Sequence, residues 1–335
     1  MMGTLLFPFI EIILYPLNNC DIIESSTRNA NIQNKEKEVI DLKGCTLHKY
    51  NPQRDKAQIE KMLINHNDLL VHFHKDEESN KDHILVSLIN TRVEGFLSFN
   101  GFGRRPQATL FVSKEDEGAD IGSMLLEEYE NKLIHNEVVE HTIFTFNESN
   151  NALKLLLENH GYRLYFSSYM MGRIGPPFSS ETIQVRQYEE KDYLAWDRIC
   201  ELAFYHMRER IGMYPSFFYT PVEWEREQFA KNKENMFVML VDNQIVAIGK
   251  IDGPKICTVA IAIEHQSRGY GRALIKFLVN EILRRGEDKV ILEVAKGNFA
   301  KALYEELGFK DTALHLSYVK YFRPDSRLSA PPDNY

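Results

Sequence analysis

Two strand–turn–helix units in the last third of the chain restrict its fold more than any other feature. Residues 257–263 alternate β-branched side chains with small ones, Val259 and Ile261 against Ala260 and Ala262, the period-two pattern of a strand. Glu264, His265, Gln266 and Ser267 form a polar turn, followed by Arg268, Gly269, Tyr270, Gly271, Arg272 and Ala273. From Leu274 to Arg285 the apolar residues Leu274, Ile275, Leu278, Val279 and Ile282 recur at helical spacing. The second unit, Ile291 to Phe309, joins an apolar strand containing one acid, Glu293, through a turn with Asn298 to a helix carrying Tyr304.

Glycines at 269 and 271 let the backbone turn tightly and keep side chains away from the first amides of the following helix. Those amides, the positive end of the helix dipole, and Arg268 and Arg272 beside them make a seat for a pyrophosphate. Taken alone such a turn is also what helix entry requires sterically. Joined to the second unit it becomes specific.

The pair resembles the Gcn5-related N-acetyltransferase (GNAT) superfamily, whose hallmark is Arg/Gln-x-x-Gly-x-Gly/Ala followed by an Asn and by a Tyr before Leu-Gly-Phe. Here the first part is Arg268, Gly271 and Ala273, and the second is Asn298, Tyr304, Leu307, Gly308 and Phe309. The resemblance covers residues 182–322. It implies an α/β fold of the GNAT type, a mixed and largely antiparallel sheet flanked by helices, and acetyl-CoA as the acyl donor.

Acetyl transfer to an amine needs a neutral nitrogen, a polarised thioester carbonyl and a proton for the departing thiolate. Backbone groups around Val259, Ala260 and Ile261 are expected to meet the pantetheine arm and the developing negative charge, although an ordinary core strand would look the same. Glu293 sits among Val290, Ile291, Leu292 and Val294, where loss of solvent raises a carboxyl toward a useful base; the alternative is a strand acid paired with Arg or Lys. Its placement resembles that of the acid in bacterial ribosomal-protein N-terminal acetylases, and Glu264 is the second choice. Tyr304 is the expected acid, set against a plain core tyrosine, and Asn298 either caps its helix or holds the cofactor.

Composition bounds the remaining possibilities. The chain has 335 residues, enough for two ordinary domains. Four cysteines, at 20, 45, 200 and 257, show no disulfide or metal-ligand spacing, which fits a reducing cytoplasm. A net charge of −8 disfavours nucleic acid as a partner and favours a cationic substrate such as a small amine. The apolar stretch from Met1 to Leu17 lacks a basic flank and is broken by Pro8, Glu11 and Pro16, so no membrane span is expected. No metal is expected either: His72 and His74 have strand-like ligand spacing without a supporting Cys or carboxylate pattern.

Gly175, Pro176 and Pro177 interrupt the chain, and the elements on either side repeat. The expected organisation is an N-terminal extension (1–44), a degenerate GNAT-like domain (45–175), a linker (176–181), a catalytic GNAT domain (182–323) and a tail (324–335). In the first copy Ala119 stands in place of Arg268, Asp120 in place of Gly269 and Met124 in place of Ala273, with Glu115, Asp116 and Glu117 just before. Carboxylates facing a pyrophosphate repel by roughly 1 kcal/mol or more per close pair. Leu157 replaces Tyr304, so the first copy is expected to shape the protein rather than turn over acyl-CoA. The acceptor pocket is expected under a helical insertion, residues 196–229, rich in aromatics and glutamates. Rival functions are a mycothiol-synthase-like acyltransferase, a peptide N-terminal acetylase and a non-catalytic acyl-CoA-binding regulator.

Overall fold

The structure, a computed structural model, describes residues 44–113, 115–179, 183–221, 223–324 and 328–335. The expected N-terminal extension therefore lies outside the described residues apart from Gly44. So do the side chains of Glu115, Asp116, Glu117 and Ala119, on which the degeneracy of the first copy was partly argued.

The chain forms two compact units, Tyr165–Leu316 with residues 328–335 in one, and the described residues up to Leu164 with residues 317–324 in the other. In chain order the first unit contains β1 (Cys45–Lys49), α1 (Pro52–Met62), α2 (Asn67–Asn80), β2 (Ile84–Ile89), β3 (Arg92–Phe99), β4 (Gln107–Val112), α3 (Glu115–Ile134), β5 (His141–Asn147) and α4 (Asn151–Asn159). Strands β1 to β4 pair antiparallel in sequence order, and β4 then pairs parallel with β5. Its core gathers Ile59, Leu63, Phe73, Ile84, Val86 and Phe96. His72 and His74, whose spacing would suit a metal only on a strand, lie on helix α2, where Leu69, Leu70 and Phe73 make one apolar face at helical spacing. Nε2 of His74 is 3.7 Å from Glu60, and among the described residues no group of three or more His, Cys, Asp or Glu is placed to hold a metal ion.

The second unit takes in most of β6 (Arg163–Arg173) and then β7 (Gln184–Gln187), α5 (Tyr193–Arg210), α6 (Glu223–Asn232), β8 (Met236–Val241), β9 (Gln244–Asp252), β10 (Lys255–Ile261), α7 (Tyr270–Arg284), β11 (Val290–Ala295), α8 (Ala300–Glu306) and the first part of β12 (Lys310–Tyr321). The element order repeats that of the first unit. Strands β7 to β10 pair antiparallel in order, β10 pairs parallel with β11, and β11 pairs antiparallel with β6. Asp242 and Asn243, with φ of 50° and 62°, form the two-residue turn between β8 and β9, a conformation these short polar side chains tolerate.

Helix α7 holds the unit together. Its Leu274, Ile275, Leu278, Val279 and Ile282 are buried in one cluster with Ala247, Ile256, Leu292 and Val294 of the sheet, each large side chain contributing about 1.5–3 kcal/mol relative to exposure. Gly249 lets the helix approach: a Cβ there would meet Leu278 Cδ1 at 2.8 Å.

The chain order and the compact units part company at two places. Residues 165–175, expected in the first domain, belong to the second unit through the pairing of β6 with β11. Residues 317–323, expected in the second, belong to the first, where Ser317 meets Thr145 (2.9 Å), Tyr318 donates to Glu158 (2.8 Å) and Lys320 to Glu130 (2.7 Å). The segment expected as a tail also packs: Leu328 accepts from the Phe218 amide at 2.9 Å, and the Tyr335 ring lies edge-on to Phe218, 4.6 Å between centroids. Among the described residues no helix is long and apolar enough to cross a membrane.

Candidate active site

Strands β10 and β11 run side by side only briefly. Their parallel register covers Lys255↔Ile291 and Ile256↔Leu292, while β10 stays paired with β9 as far as Ile261. Beyond Ile256 the two strands separate. At that point β10 carries a bulge, with Cys257 the extra residue between the Ile256 and Thr258 pairings. A cleft open to solvent lies here in the second unit. Lys255, Cys257 and Val259 from β10, Glu293 and Ala295 from β11, Asn298 and Tyr304 from the second strand–turn–helix, and Phe204 and Met207 from α5 line it.

Glu293 is the acid of the cleft wall. Its side chain is 2% exposed, and this burial pushes its carboxyl above the ordinary glutamate range, against the opposing pull of the Lys255 charge and of a hydrogen bond from Ser168. Ser168, on β6 opposite Ala295, donates its hydroxyl to Oε1. Nζ of Lys255 stands 3.9 Å from Oε2. The local cause is strand alternation: Leu292 and Val294 face the α7 core, which turns Glu293 to the other side of the sheet.

Tyr304 lines the same cleft from α8, and burial pushes its phenol up to about 12, so it stays protonated at neutral pH. Asn298 accepts a hydrogen bond from the Ala300 amide at 3.0 Å and so organises the entry to α8, while also lining the cleft. Glu264 lies exposed in the short turn after β10 and is not part of the cleft wall.

The glycine turn has the geometry its sequence suggested. Gly269 caps α7 at φ 86° with no side chain on the cap, and the first ladder bond is Ala273 N to Gly269 O at 3.1 Å. The amides of Tyr270, Gly271 and Arg272 precede that bond, as a helix start requires. A Cβ on Gly269 would meet nothing within 4 Å, so the space before these amides is open, and an anionic diphosphate fits it. Arg268 is exposed beside the turn, whereas Arg272 forms an ion pair with Glu306 of α8. Of the β10 residues expected along the pantetheine arm, Val259 reaches the cleft, Ala260 is buried and Ile261 is half-buried.

A model of the Acetyltransferase (GNAT) domain family matches residues 213–318. The [Ribosomal protein bS18]-alanine N-acetyltransferase of Escherichia coli is 31% identical over 136 residues, which cover 38% of this chain and 85% of that protein. The chain belongs to the GNAT family of acetyltransferases. The corresponding Haemophilus influenzae protein is 25% identical over 118 residues, covering 34% of this chain and 77% of its relative. Among solved structures, a GCN5-related N-acetyltransferase from Sphaerobacter thermophilus superposes with a TM-score of 0.64 at 17% identity, over 86% of this chain and 99% of the other. That likeness is one of fold, over the 86% of the chain it covers. As a GNAT member the protein is an N-acetyltransferase, and the family's co-substrate is acetyl-CoA.

Sequence reasoning did not pick out Lys255 and Cys257 of the cleft wall, nor Ser168 behind Glu293. Lys255 and Cys257 could not be reached by counting back in twos from Val259, because the bulge at Cys257 breaks the alternation of the strand. Ser168 carried no local signal, because its approach to Glu293 depends on strand pairing across 125 positions.

Proposed function

We propose that the protein transfers the acetyl group of acetyl-CoA to the primary amine of a small molecule by direct attack, with Glu293 as base and Tyr304 as acid. The observation that carries this is the Glu293 carboxyl, buried in the wall of the cleft and held above the ordinary glutamate range by that burial, the direction a general base requires. Glu264 has neither the burial nor the place, so Glu293 takes the role.

Acetyl-CoA supplies the thioester, its diphosphate on the first amides of α7 beside Gly269, Gly271 and Arg268, and its arm along Val259 to Ile261. Glu293 removes one proton from the incoming ammonium and frees the nitrogen lone pair. As the N–C bond forms and the C–S bond breaks, the Tyr304 hydroxyl donates to the departing sulfur. The proton then lost from nitrogen replaces the one Tyr304 gave. Strand amides next to the bulge at Cys257 are suited to the charge developing on the carbonyl oxygen.

The catalytic domain is assigned to residues 182–323 and a degenerate copy to 45–175. Support comes from Leu157, fully buried on α4 where the second copy has Tyr304, and from the exposed Asp120 where the second copy has Gly269. A cytoplasmic location belongs to the same proposal; among the described residues the three cysteines form no disulfide. One specific observation favours a second acceptor, a peptide N-terminus: the relatives that are 31% identical act on the alanine of a ribosomal protein.

Thiol release from acetyl-CoA by the full chain, measured against small amines and short peptides, tests the proposal. A large loss of turnover in Glu293→Gln supports it. Tight acetyl-CoA binding without thiol release against every acceptor would make the protein a binding regulator instead.

A further inference from the structure

Among the described residues Lys255 is the one cation lining the cleft, and the chemistry above leaves it unused. It opens β10 opposite Ile291, its side chain is 9% exposed, and Nζ makes no hydrogen bond among the described residues. Oε2 of Glu293, 3.9 Å away, makes none either. At that distance the two attract but share no proton. A buried ammonium and a buried carboxylate oxygen are both costly when hydrogen bonds are missing.

The other polar groups nearby do not fill the gap. Ser168, from β6, is bound to Oε1 and leaves Oε2 facing Lys255. His315, on β12, has its ring pushed down to about 4 by burial and by the Lys255 charge, so it adds no second cation at neutral pH. Phe204 and Met207 bring only apolar surface from α5, and Tyr304 and Asn298 lie on the α8 side.

We propose that Lys255 binds the carboxylate of an amino-acid acceptor whose amine sits on Oε2 of Glu293. The inference deepens the amine-acetylation proposal and rests on it. Hydrogen bonds of roughly 2.8 Å from Nζ and to Oε2 bring their far ends close together when the two atoms are 3.9 Å apart. An α-amino acid, with its nitrogen and nearer carboxylate oxygen about 3 Å apart by ordinary bond lengths, matches that spacing. Both bonds are charge-assisted, and anchoring the carboxylate aims the nitrogen. A plain alkylamine leaves the Lys255 ammonium without its hydrogen bonds.

The test is thiol release from acetyl-CoA by the full chain with matched acceptors: common amino acids, their carboxamides, the corresponding decarboxylated amines, and dipeptides. Rates are taken well above the acid limb of the pH profile, so that the effect of the Lys255 charge on Glu293 ionisation does not enter. For wild type, the free acid is expected to exceed its carboxamide and decarboxylated amine by ~10-fold or more in kcat/KM. Lys255→Met should raise KM for the acids by ~10- to 100-fold and erase the preference, and Lys255→Arg should restore part of it. Carboxamides, dipeptides or plain amines turned over by wild type as well as the acids overturn the inference while leaving the amine-acetylation proposal standing. A Lys255→Met loss equal for every acceptor also overturns it, as a structural effect. The wild-type comparison decides even if that variant does not fold. No thiol release with any acceptor overturns the inference and the proposal under it together.

Discussion

Ser168 of β6 donates a hydrogen bond to Glu293 of β11, joining two residues 125 positions apart in the chain. A hydrogen bond to a carboxylate favours its charged form. It therefore opposes the burial that raises the Glu293 carboxyl, and helps keep the proposed base ionised. The base acts only when ionised, so activity should fall as pH drops through its raised value. Ser168→Ala removes the opposing bond and should move the acid limb of kcat/KM to higher pH. An unmoved limb would separate Glu293 from the ionisation that controls the rate.

Glu293→Gln keeps the shape of the side chain and removes the base. The expected loss in kcat/KM is ~10²- to 10⁴-fold, with the acid limb lost from the remaining activity. Acetyl-CoA affinity, read by calorimetry, should change little.

Tyr304→Phe should lower kcat by ~10²-fold or more while leaving the KM for acetyl-CoA nearly unchanged. With its phenol at about 12, Tyr304 remains protonated through the assay range, so any basic limb below that pH should survive the substitution. A wild-type rate in Tyr304→Phe would remove its role as acid.

Gly271 and Gly269 separate binding from folding. A Cβ on Gly271 would come no closer than 3.8 Å to its neighbours, so Gly271→Ala should be neutral or stabilise α7 by up to ~1 kcal/mol. If the first-turn amides hold the diphosphate, the same substitution should weaken acetyl-CoA binding. Gly269 stands at φ 86°, where any other residue is strained, and Gly269→Ala should cost about 1–2 kcal/mol. Thermal melts and acetyl-CoA titrations of the two variants distinguish these effects.

Gly249 and Leu278 are coupled through the 2.8 Å contact that a Cβ on Gly249 would make. Leu278→Ala should cost about 2–5 kcal/mol and Gly249→Ala about 1–3 kcal/mol. The double variant should cost less than the sum, since the shortened side chain leaves room for the new methyl. Denaturant unfolding of all four proteins closes the cycle.

Local patterns carried much of this protein in the sequence. Alternation in 257–261, the apolar stripe of 274–282 and the glycine at 269 produced β10, α7 and the open helix start, each decided by contacts within a few residues. Glu293 among apolar neighbours was legible as a desolvated acid for the same reason.

What only the tertiary structure decided depends on long-range register. That β6 pairs with β11, which brings Ser168 to Glu293, follows from strand pairing that no local period encodes. The same holds for the 3.9 Å approach of Lys255 to Glu293, and for the exchange of residues 165–175 and 317–323 between the compact units. Sequence by itself determined the local elements and their faces, since short-range periodicity specifies both, and its motifs resembled the GNAT family closely enough to put Glu293 and Tyr304 forward for the proposed roles. Tertiary packing decided which charges stand around the acid, because burial and pairing between distant strands set the surroundings of a buried charge.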